Sequence, residues 1–160
     1  MSRLEKSHCR ELSQAAVSQV QAAVEVVLQN TPVETLAGLS TSPRLVDGSI
    51  TAETLKGQCG TICEDLLEGL KTANVSVVMC RSGNRNSSWH RYLTATDNGV
   101  EVIIDPSIGQ LIQDYNQVFV GTRQQLQQLV LNPRTITLDT RAHLPQEVFT
   151  RNWGSAAQAM

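Results

Sequence analysis

The tripeptide Asp97-Asn98-Gly99 constrains the fold of this chain more than any other feature. It lies between two stretches, 89–96 and 100–105, that are rich in β-branched and aromatic residues. Asn or Asp followed by Gly is a strong short-range signal for a β-hairpin, because both residues accept the positive φ of a tight turn. The sequence therefore predicts two adjacent antiparallel strands. Pro106 ends the second one, since proline cannot donate to a strand ladder.

Hydrophobic periodicity predicts helices on both sides of this hairpin. Apolar residues recur at helical spacing over residues 11–29 and again over residues 59–70. A third helix is predicted after Thr122, where Gln125 completes a capping-box pattern.

Short apolar runs predict further strands at 75–80, 118–120 and 135–138, the last of them at a sheet edge. A polar loop is predicted over 82–88. Helices followed by strands and then by another helix are typical of an α+β fold, in which an antiparallel sheet packs on helices.

The 160 residues predict one domain over 1–150, followed by a C-terminal tail over 151–160. A formal net charge of −2 provides no basic surface for nucleic acid or for an anionic membrane. The polar N-terminus does not fit a secretory signal, and no stretch is apolar enough to cross a bilayer. We therefore expect a soluble, cytoplasmic protein with no nucleic-acid or membrane partner; signal-less secretion is the alternative.

Cys59 carries the clearest chemical signal among the four cysteines, all of which are expected to be free thiols. The stretch Gly57-Gln58-Cys59-Gly60 stands where a loop meets the predicted helix 59–70. A helix N-terminus lowers the pKa of a thiol, because it presents unpaired N–H groups and the positive end of the helix dipole. We therefore predict that Cys59 is a nucleophile and that its own N–H is an oxyanion donor. Cys63 lies one turn deeper and is expected to be buried as a small apolar residue.

The predicted hairpin brings a histidine and a carboxylate to one face of the sheet. If the first two residues of the tripeptide form the turn, His90 and Asp105 lie directly opposite each other. If its last two residues form the turn, the pair becomes diagonal neighbours on the same face. In both registers the two Cβ atoms lie roughly 5 to 8 Å apart. An Asp at this distance can hold an imidazole in one tautomer and orientation, as a general base requires.

Cys59, His90 and Asp105 are therefore the predicted catalytic residues. Trp89 and Tyr92 are candidates for packing around the imidazole, although each is also a common type of core residue.

Three motifs of this chain resemble those of the papain-like and transglutaminase-like cysteine enzymes. They are Gly57-Gln58-Cys59 at the start of a helix, Trp89-His90 at the start of a strand, and Val102-Ile103-Ile104-Asp105-Pro106 at the end of the next strand. The order Cys, His, Asp is similar to that of bacterial toxin and effector members that deamidate glutamine or cleave peptides. The resemblance covers residues 57–121. It implies a thiolate from Cys59, acid–base catalysis by His90, orientation by Asp105 and a thioester acyl-enzyme.

The chain departs from the papain pattern at two points. The stretch from Gly57 to Cys63 resembles the papain signature with one residue too many. The nucleophile of that signature is its second cysteine, which makes Cys63 the alternative nucleophile. The glutamine that donates to the oxyanion lies several residues before the nucleophile, where this chain has Glu53. Gln58 is the nearby amide and is the candidate oxyanion donor.

The predicted function is hydrolysis or acyl transfer at an amide bond, such as protein-glutamine deamidation or peptide cleavage, without a metal or cofactor. Transamidation results if an amine instead of water resolves the thioester. A protein or peptide is the expected substrate, with a small amide or acyl compound as the alternative.

Two other classes of function remain open. One is a zinc site, whose ligands would be Cys59, Cys63, His90 and Asp105. The other is a non-enzymatic interaction domain, in which the glutamine-rich face of the last helix would be the contact surface.

Overall fold

The structure is a computed structural model, which describes residues 2–43, 52–55, 57–82, 90–110, 112, 115–131 and 158–159. Within these ranges the helices are α1 (Arg3–Asn30), α2 (Ala52–Leu55), α3 (Cys59–Thr72) and α4 (Arg123–Leu131). The strands are β1 (Val77–Ser82), β2 (His90–Asp97), β3 (Val100–Asp105), β4 (Phe119–Gly121) and the two-residue β5 (Gln158–Ala159). The strands form one antiparallel sheet in the order β4-β3-β2-β1-β5. The predicted α+β class with an antiparallel sheet is confirmed.

The β2–β3 hairpin adopts the second of the two predicted registers. The strands pair up to the residues that directly flank Asn98 and Gly99, which form a two-residue turn with φ values of 49° and 77°. A type I′ turn requires both central residues in this left-handed region, which Asn and Gly tolerate better than other residues. In this register His90 and Asp105 are diagonal neighbours on one face of the sheet.

Different helices cover the two faces of the sheet. On one face, buried side chains of α1 and α3 pack against alternate residues of the strands; this core includes Val20, Val24, Ile62, Leu66, Leu70, Leu93, Ala95, Val102 and Ile104. On the other face, α4 contributes to a smaller core made of Cys80, Tyr92, Ile103, Ile108, Ile112, Phe119 and Leu126. The second half of β3 is therefore buried on both sides, which explains its continuous apolar run from Val102 to Ile104.

Helix α1 begins at Arg3, well before the predicted range 11–29. The Ser2 hydroxyl accepts from the Glu5 N–H at 3.1 Å, and the Glu5 carboxylate accepts from the Ser2 N–H at 2.7 Å, which completes a capping box. The first buried residue of α1 is Ala16. Apolar periodicity marks only the part of a helix that packs against the protein. It therefore does not indicate the exposed first turns of α1.

The strand β1 begins at Val77, two residues later than the prediction of 75–80, because α3 ends in a left-handed cap. Asn74 has a φ of 63°, and the Val75 N–H donates to the Leu70 carbonyl at 3.0 Å. Val75 is thus part of the helix cap, although its side chain has strand-forming character.

The remaining predicted boundaries agree to within two residues where the structure describes them. The α4 capping box is present: the Gln125 N–H donates to the Thr122 hydroxyl at 3.2 Å, and the Thr122 N–H donates to the Gln125 side chain at 2.8 Å. The predicted strand 135–138 and nearly all of the loop 82–88 lie outside the described residues. In the predicted tail 151–160, residues 158–159 pair with β1. Within the described ranges, no helix is both long and apolar enough to cross a bilayer.

Candidate active site

Cys59 is the first residue of α3, and Gln58 is its N-cap. The first hydrogen bond of the helix runs from the Ile62 N–H to the Gln58 carbonyl at 2.9 Å. The N–H groups of residues 59–61 therefore precede the helical ladder and point out of its N-terminus. The half-buried thiol of Cys59 lies beside these donors and the positive end of the helix dipole.

The imidazole of His90 is held by the carboxylate of Asp105. His90 Nε2 lies 2.6 Å from Asp105 Oδ2, and both side chains are buried. The second oxygen, Oδ1, accepts from the Ser107 N–H at 3.3 Å, just after the turn that Pro106 begins. The carboxylate is thus fixed at both oxygens, and the ring is fixed by the carboxylate.

The His90 ring also hydrogen-bonds to the Cys59 thiol, and the two groups shift each other's pKa. Burial raises the pKa of the Cys59 thiol. The hydrogen bonds from His90 and from the Arg91 backbone N–H outweigh this effect, so the pKa falls below the usual 9.0. Burial lowers the pKa of His90, but the Asp105 carboxylate and then the thiolate raise it to about 10. These directions favour a thiolate–imidazolium pair at neutral pH.

Cys63 differs from Cys59 in both environment and charge. Its sulfur is buried and donates to the Arg91 carbonyl at 3.4 Å. Burial, followed by the neighbouring Asp105 and Cys59, raises the pKa of the Cys63 thiol well above 9.0. The backbone of Arg91 therefore meets both cysteines: its N–H donates to Cys59 and its carbonyl accepts from Cys63.

Gln110 also lies at the candidate site, although no pattern in the sequence indicates it. Its Nε2 lies 3.3 Å from Nδ1 of His90 and 3.4 Å from the hydroxyl of Ser107. It belongs to a 3₁₀ turn, Ile108–Gln110, which follows β3 and returns toward the start of β2. No periodicity or turn motif in the sequence indicates this return, although Asp105-Pro106 does predict that the strand ends there.

The other predicted site residues have different positions. Tyr92 is buried in the smaller core with Phe119 and Leu126. As predicted, it lies on the same face of β2 as His90. The Gln58 side chain makes no capping hydrogen bond and lines a cavity beside α3. Trp89 lies outside the described residues.

The proposed set of zinc ligands does not converge on a metal position. Among the residues that the structure describes, no three His, Cys, Asp or Glu side chains are arranged to hold a metal ion. In the predicted set, Cys63 is directed to a backbone carbonyl and His90 Nε2 to a carboxylate. Both groups are therefore engaged in bonds that a zinc ion would have to replace.

Comparison of the chain with protein-family models gives no match, and searches of curated proteins and of solved structures give none either. The chemistry of the site therefore has to be argued from its residues. These are a thiol at a helix N-terminus, an imidazole in hydrogen-bond contact with it, and a carboxylate that orients the imidazole.

Proposed function

We propose that this chain is a cysteine-dependent amide hydrolase or acyltransferase of the papain-like and transglutaminase-like kind. Protein-glutamine deamidation and peptide cleavage are the reactions we favour. One observation carries the proposal: the His90 ring is bound to Asp105 through Nε2 at 2.6 Å and also hydrogen-bonds to the Cys59 thiol. This arrangement supports the roles of nucleophile for Cys59, base for His90 and orienting group for Asp105.

The first half of the reaction forms a thioester. His90 accepts the proton of Cys59, and the thiolate attacks the carbonyl carbon of an amide. The C–N bond then breaks, and the proton held by His90 passes to the departing ammonia or amine. Asp105 stabilises the imidazolium throughout, because its carboxylate stays within hydrogen-bond distance of Nε2.

The second half resolves the thioester. His90, now neutral, accepts a proton from water or from an acceptor amine, which attacks the thioester carbonyl. The C–S bond breaks and the proton returns to the sulfur. Attack by water gives hydrolysis, and attack by an amine gives transamidation.

The start of α3 supports this chemistry, because the tetrahedral intermediate carries an oxyanion. The backbone N–H of Cys59 lies ahead of the helical ladder, where it can donate to that oxygen. The side chain of Gln58, directly before Cys59, is the candidate for a second donor, since it makes no cap bond of its own.

The direct test is iodoacetamide labelling at pH 6, followed by peptide mapping of all four cysteines. We expect Cys59 to react faster than the exposed Cys9, because its lowered pKa raises the thiolate fraction at pH 6. His90→Ala should remove this advantage, since the thiolate then loses its cationic partner.

Cys63→Ala is the matched control for this experiment. Its sulfur bonds to the Arg91 carbonyl and not to the imidazole, so the labelling rate of Cys59 should be unchanged. Labelling of Cys59 no faster than that of Cys9, or insensitive to His90→Ala, would refute the proposal. Turnover is then sought on a peptide mixture by mass spectrometry, with conversion of Gln to Glu or new N-termini as the signal and Cys59→Ser as the inactive variant.

A further inference from the structure

A cavity of about 490 Å³ lies beside the start of α3, and we call it the flanking cavity. Residues 34–39, the end of α2 and the first turn of α3 surround it. Its apolar lining consists of Ala37, Leu39, Leu55 and Ile62, and its polar lining consists of Glu34, Thr35, Thr54 and Gln58. A cavity of this volume can hold one amino-acid side chain together with part of the adjoining backbone.

The flanking cavity is bordered by Gln58, the residue directly before Cys59. Gln58 and Ile62 are one helical turn apart and form one stripe of α3, which borders the cavity. Cys59 and Cys63 form the next stripe, which faces the backbone of β2 at Arg91. Because Gln58 and Cys59 are consecutive residues, we expect a substrate whose amide reaches the thiol to present a neighbouring side chain to the cavity.

The lining of the cavity combines an apolar interior with a carboxylate. Leu39, Leu55 and Ile62 are all buried. Among the described lining residues, Glu34 is the charged one, and it is exposed. The neighbouring Thr35 hydroxyl donates to Asp65, so it is directed to α3.

This combination is complementary to a lysine or arginine side chain. Such a side chain buries its aliphatic stem against apolar surface and keeps its cationic end at the solvent, where a carboxylate can meet it. An acidic side chain of the same length would be repelled by Glu34, and a purely apolar one would gain no attraction from its solvated carboxylate.

We propose that the flanking cavity binds a basic side chain of the substrate beside the bond that is attacked. This inference rests on the proposed function, because it takes Cys59 as the reacting residue. It assigns Glu34 as a specificity-determining residue, which selects substrate charge without touching the reacting atoms.

The test compares the rates at which three reagents label Cys59. They are lysine amide, norleucine amide and glutamate amide, each carrying an iodoacetyl group on its α-nitrogen. Norleucine has the lysine stem without the charge. We expect the lysyl reagent to react about two- to fivefold faster than the norleucyl reagent, the range that a solvent-exposed ion pair gives. The glutamyl reagent should be the slowest. Glu34→Gln should remove the lysyl advantage, whereas the control Glu11→Gln, an exposed position on α1, should retain it.

The outcomes distinguish failure of the cavity assignment from failure of the proposed function on which it rests. Fast labelling of Cys59 by plain iodoacetamide, with equal rates for the lysyl and norleucyl reagents, would overturn the cavity assignment and leave the thiol enzyme intact. A lysyl advantage that survives in Glu34→Gln, or that appears equally at the exposed Cys9, would also overturn it. Slow labelling of Cys59 by iodoacetamide itself would overturn both.

Discussion

At the scale of single residues, the site depends on His90, because three side chains converge on its ring. Asp105 binds Nε2, the Cys59 thiol hydrogen-bonds to the ring, and the Gln110 amide lies 3.3 Å from Nδ1. The carboxylate decides which state the ring adopts, since it stabilises the imidazolium that burial alone would disfavour. Removing its charge should therefore change both the thiolate and the stability of the protein.

We expect Asp105→Asn to lower the free energy of unfolding by about 3 kcal/mol at pH 6, because a buried charge loses its partner. The pKa of His90 is raised from 6.5 to about 10 in the folded protein. The stability from this pair is therefore fully present below pH 6.5 and is lost as the pH rises through about 10. Urea denaturation of both proteins at pH 6 and pH 10 measures the effect. A destabilisation of equal size at both pH values would contradict this account of the pair.

At the scale of elements, the position of the thiol is set by how α3 docks on α1 and on the sheet. Gly69 of α3 faces Val27 of α1, where a Cβ on the glycine would overlap the Val27 side chain. This contact permits the close approach of the two helices. Cys63, Leu66 and Leu70 of α3 are buried on the same helix and pack in the main core.

Gly69→Ala should destabilise the protein by about 1–2 kcal/mol. Overpacking costs about 1–3 kcal/mol, and the better helix propensity of alanine returns up to about 1 kcal/mol. The measurement is a double-mutant cycle with Val27→Ala, from urea unfolding. The smaller side chain at residue 27 makes room for the new methyl group. The double variant should therefore lose about 1 kcal/mol less unfolding free energy than the sum of the losses in the two single variants. Strictly additive effects would show that the two residues do not compete for this space.

At the scale of the whole molecule, Glu25 links the helical layer to the far edge of the sheet. Its carboxylate accepts from the Thr41 N–H and from the Thr41 hydroxyl, both at 2.8 Å. The loop that contains Thr41 also accepts hydrogen bonds from the residues before β4. The Val118 N–H donates to the Ser40 carbonyl at 2.7 Å, and the Gln117 side-chain amide donates to the Thr41 carbonyl at 3.1 Å. Glu25 thus ties α1 to this loop, and the loop is hydrogen-bonded to the residues that lead into β4.

Glu25→Ala should lower the free energy of unfolding by about 1–3 kcal/mol at pH 7, because the buried Thr41 donors lose their acceptor. Burial raises the pKa of Glu25, but the hydrogen bonds from Thr41, Gln29 and Ser40 lower it below 4.5 overall. The stabilisation is therefore present above pH 4.5 and is lost as the pH falls through the lower folded value. Chemical denaturation at pH 7 and pH 3 measures this, with the exposed Glu11→Ala as the control. An effect no larger than that of the control would contradict the role assigned to Glu25.

Much of the local structure was predictable because it depends on neighbours in the sequence. The Asn98-Gly99 turn, the Thr122 cap and the start of α3 at Cys59 all follow from backbone preferences within a few residues. The period of two along a strand then places His90 and Asp105 on one face for either two-residue turn, whereas a three-residue turn without a bulge would separate them. The sequence by itself therefore determined the hairpin and the relation of its two polar residues.

Other features were decided only by tertiary packing. The thiol meets the imidazole because α3 docks against β2, and no local pattern specifies how two such elements pack together. Gln110 reaches His90 through a turn after the strand, and Cys63 finds its acceptor in the backbone of the neighbouring β2. The flanking cavity likewise exists only where three separate segments meet. These contacts join residues far apart in the chain, and their geometry comes from burying both faces of the sheet, which propensity and spacing do not encode.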